Sequence, residues 1–173
     1  MTLRARPARV EDASGIARIY NQGIGERIAT FETRPRTTAE IADALRQKAD
    51  RFPTVVVELD GHLVGWAGAS EYRARDCYAG IAEFSVYVDR EARRHGVGRA
   101  AMEALVVACE ARGLWKLVSR VFVENEPSLV LLRGCGFREV GVYRRHAKLD
   151  GVWRDVVIVE RLLGEAGGTR LPE

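Results

Sequence analysis

The sequence predicts an α+β domain built on one mixed sheet. Three observations carry that expectation. Apolar alternation and helical spacing follow one another along the 173 residues in the order β-α-α-β-β-β-α-β-α-β-β. Two Asp-Gly pairs, Asp60-Gly61 and Asp150-Gly151, lie between strand-like runs and mark antiparallel hairpins. One long helical stretch separates two strands in the middle of the chain, and a parallel pair needs that kind of crossover.

Each element has its own signal. "TLRAR" starts an edge strand, and Ile16, Ile19 and Tyr20 at helical spacing predict a helix over 12–20, with Glu11 and Asp12 suited to its positive end. "TTAEIADALRQK" opens on a capping box, Thr37 with Glu40, ahead of Ile41 and Leu45 on one face. "TVVVEL" and "HLVGWAGAS" form the first hairpin. "AEFSVYV" then alternates, with Ala82, Phe84, Val86 and Val88 on one side and Glu83, Ser85 and Tyr87 on the other.

A helix from Val97 to Arg112 carries Met102, Leu105, Val106 and Cys109 inward and stops at Gly113. "KLVSRVFV" is the next strand. Asn125 caps a short helix that tolerates Pro127 in its first turn and ends near Gly134 and Gly136. Two last strands, 137–148 and 152–161, close the fold. The expected domain is 1–163, with "GEAGGTRLPE" (164–173) as a loose tail.

Composition narrows the function. With 47% hydrophobic and 29% charged residues the chain suits a single globular domain able to bury a core without staples. A net charge of +3, dispersed along the chain, argues against a nucleic-acid or membrane partner. Cys77, Cys109 and Cys135 form no C-x-x-C pair and read as reduced thiols. With no apolar leader, the expected location is cytoplasmic. His62, His95 and His146 are scattered, so no metal site is expected.

Chemistry concentrates in "EFSVYVDREARRHGVGRAA", where a strand delivers its chain into a glycine- and arginine-rich helix start. Up to four backbone N–H groups lack partners there, and the helix dipole favours negative charge. Gly96 and Gly98 permit close approach, while Arg93, Arg94 and Arg99 surround the position with cations, so a diphosphate suits it. It is neither a Walker loop nor a dinucleotide fingerprint, because no Gly-Lys-Ser/Thr follows and Ala101 occupies the third glycine position.

"VYVDREARRHGVGRAAMEAL" resembles the acetyl-CoA pyrophosphate loop of the GNAT superfamily of N-acetyltransferases, and "VENEPSLVLLRGCGF" is similar to that family's second cofactor segment. The element order agrees over residues 3–161. The resemblance implies a three-layer α/β/α fold whose mostly antiparallel sheet of about seven strands has a splayed parallel pair at the acetyl-CoA site. It also implies roles for particular residues. Backbone at Val86 and Val88 pairs with pantetheine. The amides from Arg94 through Gly96, Val97 and Gly98 to Arg99 hold the diphosphate with the side chains of Arg93 and Arg94, and Asn125 and Ser128 contact the pantetheine arm. Where many members carry a tyrosine that protonates the departing thiolate, this chain has Leu132, so water or another group serves, or no acid is needed.

"VYRRHAKLDGVWRDVVIVERLL", "YNQGIGERIATFET" and "YRARDCYAGIAEFSVYV" are similar to a narrower branch, the phosphinothricin and arsinothricin N-acetyltransferases. That branch acetylates the α-amino group of glutamate-like antibiotics and is typically dimeric. The resemblance implies that Glu83 is the general base, acting directly or through a water. Arg73 and Arg75, two apart in a segment expected to be extended, would clamp an acceptor oxyanion. Phe31 could wall the acceptor pocket or serve the core, and "DVVIVERL" could pair with a second subunit or simply be buried. Trp66, Trp115 and Trp153 read as core or interface aromatics. The rival functions are acetylation of protein N-termini or of other small amines such as methionine sulfone, and a silent acyl-CoA-binding module.

Overall fold

The computed structural model describes residues 1–168. Its elements are β1 (Leu3–Pro7), α1 (Ala13–Glu26), α2 (Thr38–Lys48), β2 (Thr54–Leu59), β3 (His62–Glu71), β4 (Ile81–Val88), α3 (Val97–Ala111), β5 (Lys116–Phe122), α4 (Glu126–Gly134), β6 (Arg138–Leu149), β7 (Val152–Leu162) and α5 (Gly164–Gly168). Seven strands make one sheet in the order β1-β2-β3-β4-β5-β7-β6. Only β4 and β5 run parallel; the other neighbouring pairs are antiparallel. This is the expected mixed, mostly antiparallel sheet.

Strand alternation divides the core into layers. Ala82 and Phe84 of β4 pack with Val57 and Ala67 against Val97, Met102, Leu105 and Cys109 of α3, and α4 adds Leu129 and Leu132. On the other face Val56, Trp66 and Tyr87 meet Ile16 and Ile19 of α1 and Ile41 and Leu45 of α2. Complete burial of a side chain such as Leu105 contributes about 1.5–3 kcal/mol, so α3 is bound to the sheet mainly through this stripe. No helix is long and apolar enough to cross a membrane.

The local signals hold where they were strongest. Asp60 and Gly61 both take positive φ, 50° and 84°, as a two-residue hairpin turn requires. The capping box forms as read: the Glu40 N–H donates to Thr37 Oγ1 at 3.1 Å, and the Thr37 N–H donates to Glu40 Oε2 at 2.7 Å.

Two expectations need correction. The first helix continues six residues beyond 20, through Gly23 and Gly25. Gly23 is a packing position rather than a breaker, since a Cβ there would lie 2.6 Å from Cε1 of Tyr87. Of the loose tail, residues 164–168 form a helical turn whose Gly164 N–H donates to Glu110 Oε1 at 3.2 Å; 169–173 lie outside the described residues. Of the two readings of "DVVIVERL", sheet burial holds, because β7 is flanked by β5 and β6. The free edges of the sheet are β1 and β6.

Candidate active site

The parallel ladder between β4 and β5 covers only Ile81–Glu83 against Lys116–Val118. Beyond it the strands diverge, and β5 goes on pairing with β7 as far as Phe122. The Ser119 hydroxyl donates to the Phe84 carbonyl at 3.0 Å, spanning the gap where the ladder stops. That bond shows which way the β4 backbone faces. Phe84 turns its polar groups toward β5, so by two-residue alternation Val86 and Val88 do the same. The Asp89 N–H, one residue out of phase, donates to Val64 O on β3 at 2.8 Å. The divergence thus leaves a run of strand edge open to an extended, amide-bearing ligand.

A cleft of about 520 Å³ occupies the opening. Ser85 and Val86 of β4, Ser119 and Arg120 of β5, and Asn125, Ser128 and Leu132 at α4 line it, together with Phe31, Arg73 and Glu83. Val88 is not among the lining residues; its side chain packs under α3. Asn125 is buried, and its Oδ1 accepts from the Ser128 N–H at 3.4 Å, so the predicted cap is present and both residues face the cleft.

The glycine-rich turn leads into α3 without a side-chain cap. Arg94 and Gly96 take positive φ, 64° and 79°, with His95 between them in ordinary φ space; such turns bring successive amides onto one concave side. The first bond of the helical pattern is Ala100 N–H to Gly96 O at 3.0 Å, so the amides of Val97, Gly98 and Arg99 precede the helix's own acceptors. An uncapped helix start with three arginines alongside fits a diphosphate. The arginines differ in availability. Arg93 is held by Glu26 at 2.8 Å, and Arg99 donates to Gly134 O at 3.2 Å, tying α3 to α4. Arg94 has no ion-pair partner among the described residues.

On the opposite face, Glu83 Oε1 lies 3.1 Å from Arg120 Nη2. Arg120 was not anticipated: only the β4–β5 register brings a strand arginine to this carboxylate, and no local spacing reports it. The Arg73–Arg75 segment is bent rather than extended, because the Arg75 N–H donates to Arg73 O at 2.9 Å. Arg73 lines the cleft over the Tyr72 ring, whereas Arg75 lies over Tyr78 and is not among the lining residues. Phe31 lines the cleft and packs edge-on to Phe122 at 4.7 Å. Tyr143 and His146 of β6 complete the wall, again without a local sequence signal. Burial raises the phenol pKa of Tyr20 and Tyr87, so both stay neutral at physiological pH. Among the described residues no group of metal-ligating side chains gathers anywhere.

With this geometry in hand, comparison with known proteins is specific. A sequence model of the Acetyltransferase (GNAT) family matches residues 18–137. A phosphinothricin N-acetyltransferase of Alcaligenes faecalis is 36% identical over 171 residues, 97% of this chain and 86% of that protein. An L-methionine sulfoximine/L-methionine sulfone acetyltransferase of Pseudomonas paraeruginosa is 28% identical over 162 residues, 92% of this chain and 94% of that one. Among solved structures, a GNAT superfamily phosphinothricin acetyltransferase from Sinorhizobium meliloti, in complex with acetyl-CoA, superposes with a TM-score of 0.87 at 32% identity, covering 100% of this chain and 95% of the other. A parallel pair that opens over a cleft, an uncapped glycine-rich helix start behind it and these relatives agree: the chain belongs to the acetyltransferase (GNAT) family and is an N-acetyltransferase.

Proposed function

We propose that this enzyme acetylates the α-amino group of a small acidic amino acid analogue of the phosphinothricin or arsinothricin type, by direct transfer within a ternary complex. Inactivation of an amino-acid antibiotic would be its biological effect. The observation that carries the reading is the cleft itself. It joins an open β4 edge to a face bearing Glu83, Arg120 and Arg73, and the chain leaving that same strand enters α3 through an uncapped start.

Acetyl-CoA, when bound, supplies the thioester whose carbonyl the amine attacks. Backbone at Val86 and Val88 aligns its amide-bearing arm beside β4, with Asn125 and Ser128 on the opposite wall. The amides from Arg94 to Arg99 take the diphosphate; Arg94 is the freest cation there, and Arg93 would have to leave Glu26 to join it. Glu83 receives the proton from the acceptor ammonium, directly or through a water. Arg73 pairs with an acceptor oxyanion, and Arg75 serves as the outer member of the pair. Leu132 is buried where a thiolate acid would otherwise stand, so the leaving thiolate takes its proton from water or another group.

A homodimer fits the same reading. Val142 and Tyr143 on the free β6 edge, with Val152 and Trp153 on its hairpin partner, are exposed apolar side chains, and light scattering on the purified protein reads the mass. The methionine sulfoximine/sulfone relative favours a second acceptor class, analogues whose side chain is uncharged. A steady-state assay of free-thiol release from acetyl-CoA, run with phosphinothricin, methionine sulfone and short peptides, decides among them. The highest kcat/KM is expected with phosphinothricin; preference for peptides overturns the assignment. Acetyl-CoA binding with no acetylation of any amine indicates a silent binding module.

A further inference from the structure

The outer strand β6 is irregular where it meets the cleft. Tyr143 pairs with Val156 and Ala147 with Arg154, so Arg144, Arg145 and His146 stand opposite the single residue Asp155. This bulge changes where His146 goes. In a regular strand residues three apart face opposite sides of the sheet. Tyr143 and His146 are three apart, yet both line the cleft, with ring centroids 5.3 Å from each other. The Phe31 ring centroid lies 6.3 Å from the imidazole.

The bulge is also strained and specifically held. Arg145 has φ 47°, a left-handed conformation that is unfavourable for a non-glycine residue. Its N–H donates to Asp155 Oδ1 at 2.7 Å, so a carboxylate from the neighbouring strand fixes the distortion. Bulges beside active sites commonly re-aim a side chain, and the side chain re-aimed here is the only imidazole among the residues lining the cleft.

We propose that His146 is a specificity-determining residue that donates an imidazole N–H to the distal anionic group of the acceptor, with Asp155 as its positioning residue through the bulge. The inference rests on the acidic-acceptor reading above. The strand order supplies the direction. Glu83, which must meet the amine, is on β4, and β6 lies three strands away, about 14 Å at ordinary strand spacing. A group offered from β6 therefore meets the end of the acceptor remote from its amine. Arg73 then serves the α-carboxylate, and the two anionic groups of such an acceptor are matched by two separate donors.

The test compares two acceptors that differ at the distal end, phosphinothricin (anionic) and methionine sulfone (uncharged). In His146→Ala the KM for phosphinothricin should rise roughly tenfold, the worth of one hydrogen bond to a charged group, while the KM values for methionine sulfone and acetyl-CoA stay within about twofold. His146→Gln, which keeps an N–H donor, should recover most of the loss. Asp155→Ala should reproduce the selective defect, and Arg145→Gly, which relieves the backbone, should not. Thermal melts of each variant separate loss of fold from loss of recognition. If both acceptors lose equally, or neither loses, with wild-type melting behaviour, the proposal is overturned. If the wild type acetylates methionine sulfone but not phosphinothricin, it is the acidic-acceptor reading that fails.

Discussion

Glu83 and Arg120 show how much of this enzyme depends on single side chains. Glu83 sits at the last rung of the parallel ladder, where the sheet is still closed but the cleft has begun, and Arg120 holds it by one guanidinium contact at 3.1 Å. A carboxylate so placed is fixed in direction. Glu83→Gln keeps the shape and removes the proposed base. The expected result is a kcat lower by about 10²–10⁴-fold with an acetyl-CoA Kd within twofold of wild type, by single-turnover kinetics and calorimetry. A loss of activity explained entirely by weaker acetyl-CoA binding would remove Glu83 from the chemistry. The arginine pair makes a graded prediction. Arg73→Ala should raise the acceptor KM at least about tenfold, the worth of a charge-assisted contact, with the acetyl-CoA KM unchanged. Arg75→Ala should do less, because the bend between them turns Arg75 outward onto Tyr78. Equal effects of the two variants would mean that the segment straightens when the acceptor binds.

At the scale of elements, what the sequence disclosed was whatever is local. The hairpin at Asp60-Gly61, the Thr37–Glu40 capping box, the Asn125 cap and the glycine-rich start of α3 each depend on a few consecutive residues, and all formed as read. The features that were not legible each require two elements at once. Arg120 reaches Glu83 only through the β4–β5 register, His146 enters the cleft only through the β6–β7 bulge, and α1 runs past Gly23 only because the Tyr87 ring fills the space a side chain would take. The same kind of contact positions the glycine-rich turn. Buried Gly65 on β3 lies beneath Val97, the first residue of α3, and a Cβ there would fall 2.5 Å from Val97 Cγ1 and 3.3 Å from the Tyr87 carbonyl oxygen. Gly65→Ala should therefore push the helix start off the sheet. Overpacking of this kind costs typically 1–3 kcal/mol, and calorimetry should show weaker acetyl-CoA binding as well. A variant destabilised in denaturant with unaltered acetyl-CoA affinity would mean that α3 yields without moving its amides.

For the whole molecule, the joints between elements are held by ionised carboxylates, and this sets how the fold responds to acid. Arg6 on β1 bonds Asp12, ahead of α1, at 2.8 Å and Glu58 on β2 at 2.7 Å, and its hydrogen bond holds the Asp12 carboxyl below the usual range. Burial would raise the pKa of Asp89 at the end of β4, but Arg18 of α1 donates to it and the result is again low. Lys116 and Arg138 lower Glu160, which joins β7 to β5 and β6. Arg34 and the Thr37 amide lower Glu40 at the start of α2 to about 2. Each of these groups is more acidic folded than unfolded, so in mild acid the unfolded chain binds more protons. Their contribution is complete above the unfolded values, 3.8 for Asp and 4.5 for Glu, and drains away as pH falls through the lower folded ones. Melting temperature should accordingly be nearly flat from pH 7 to about 5 and fall steeply between about 4.5 and 2, by scanning calorimetry or circular dichroism. Asp12→Asn removes one titrating staple while keeping its shape. It should lower the plateau at pH 7 and shrink the drop below pH 4, because a group that cannot ionise has no acid-labile stabilisation to lose. A melting temperature that holds or rises across that interval would mean the carboxylates ornament the surface and the joints are held by apolar packing alone.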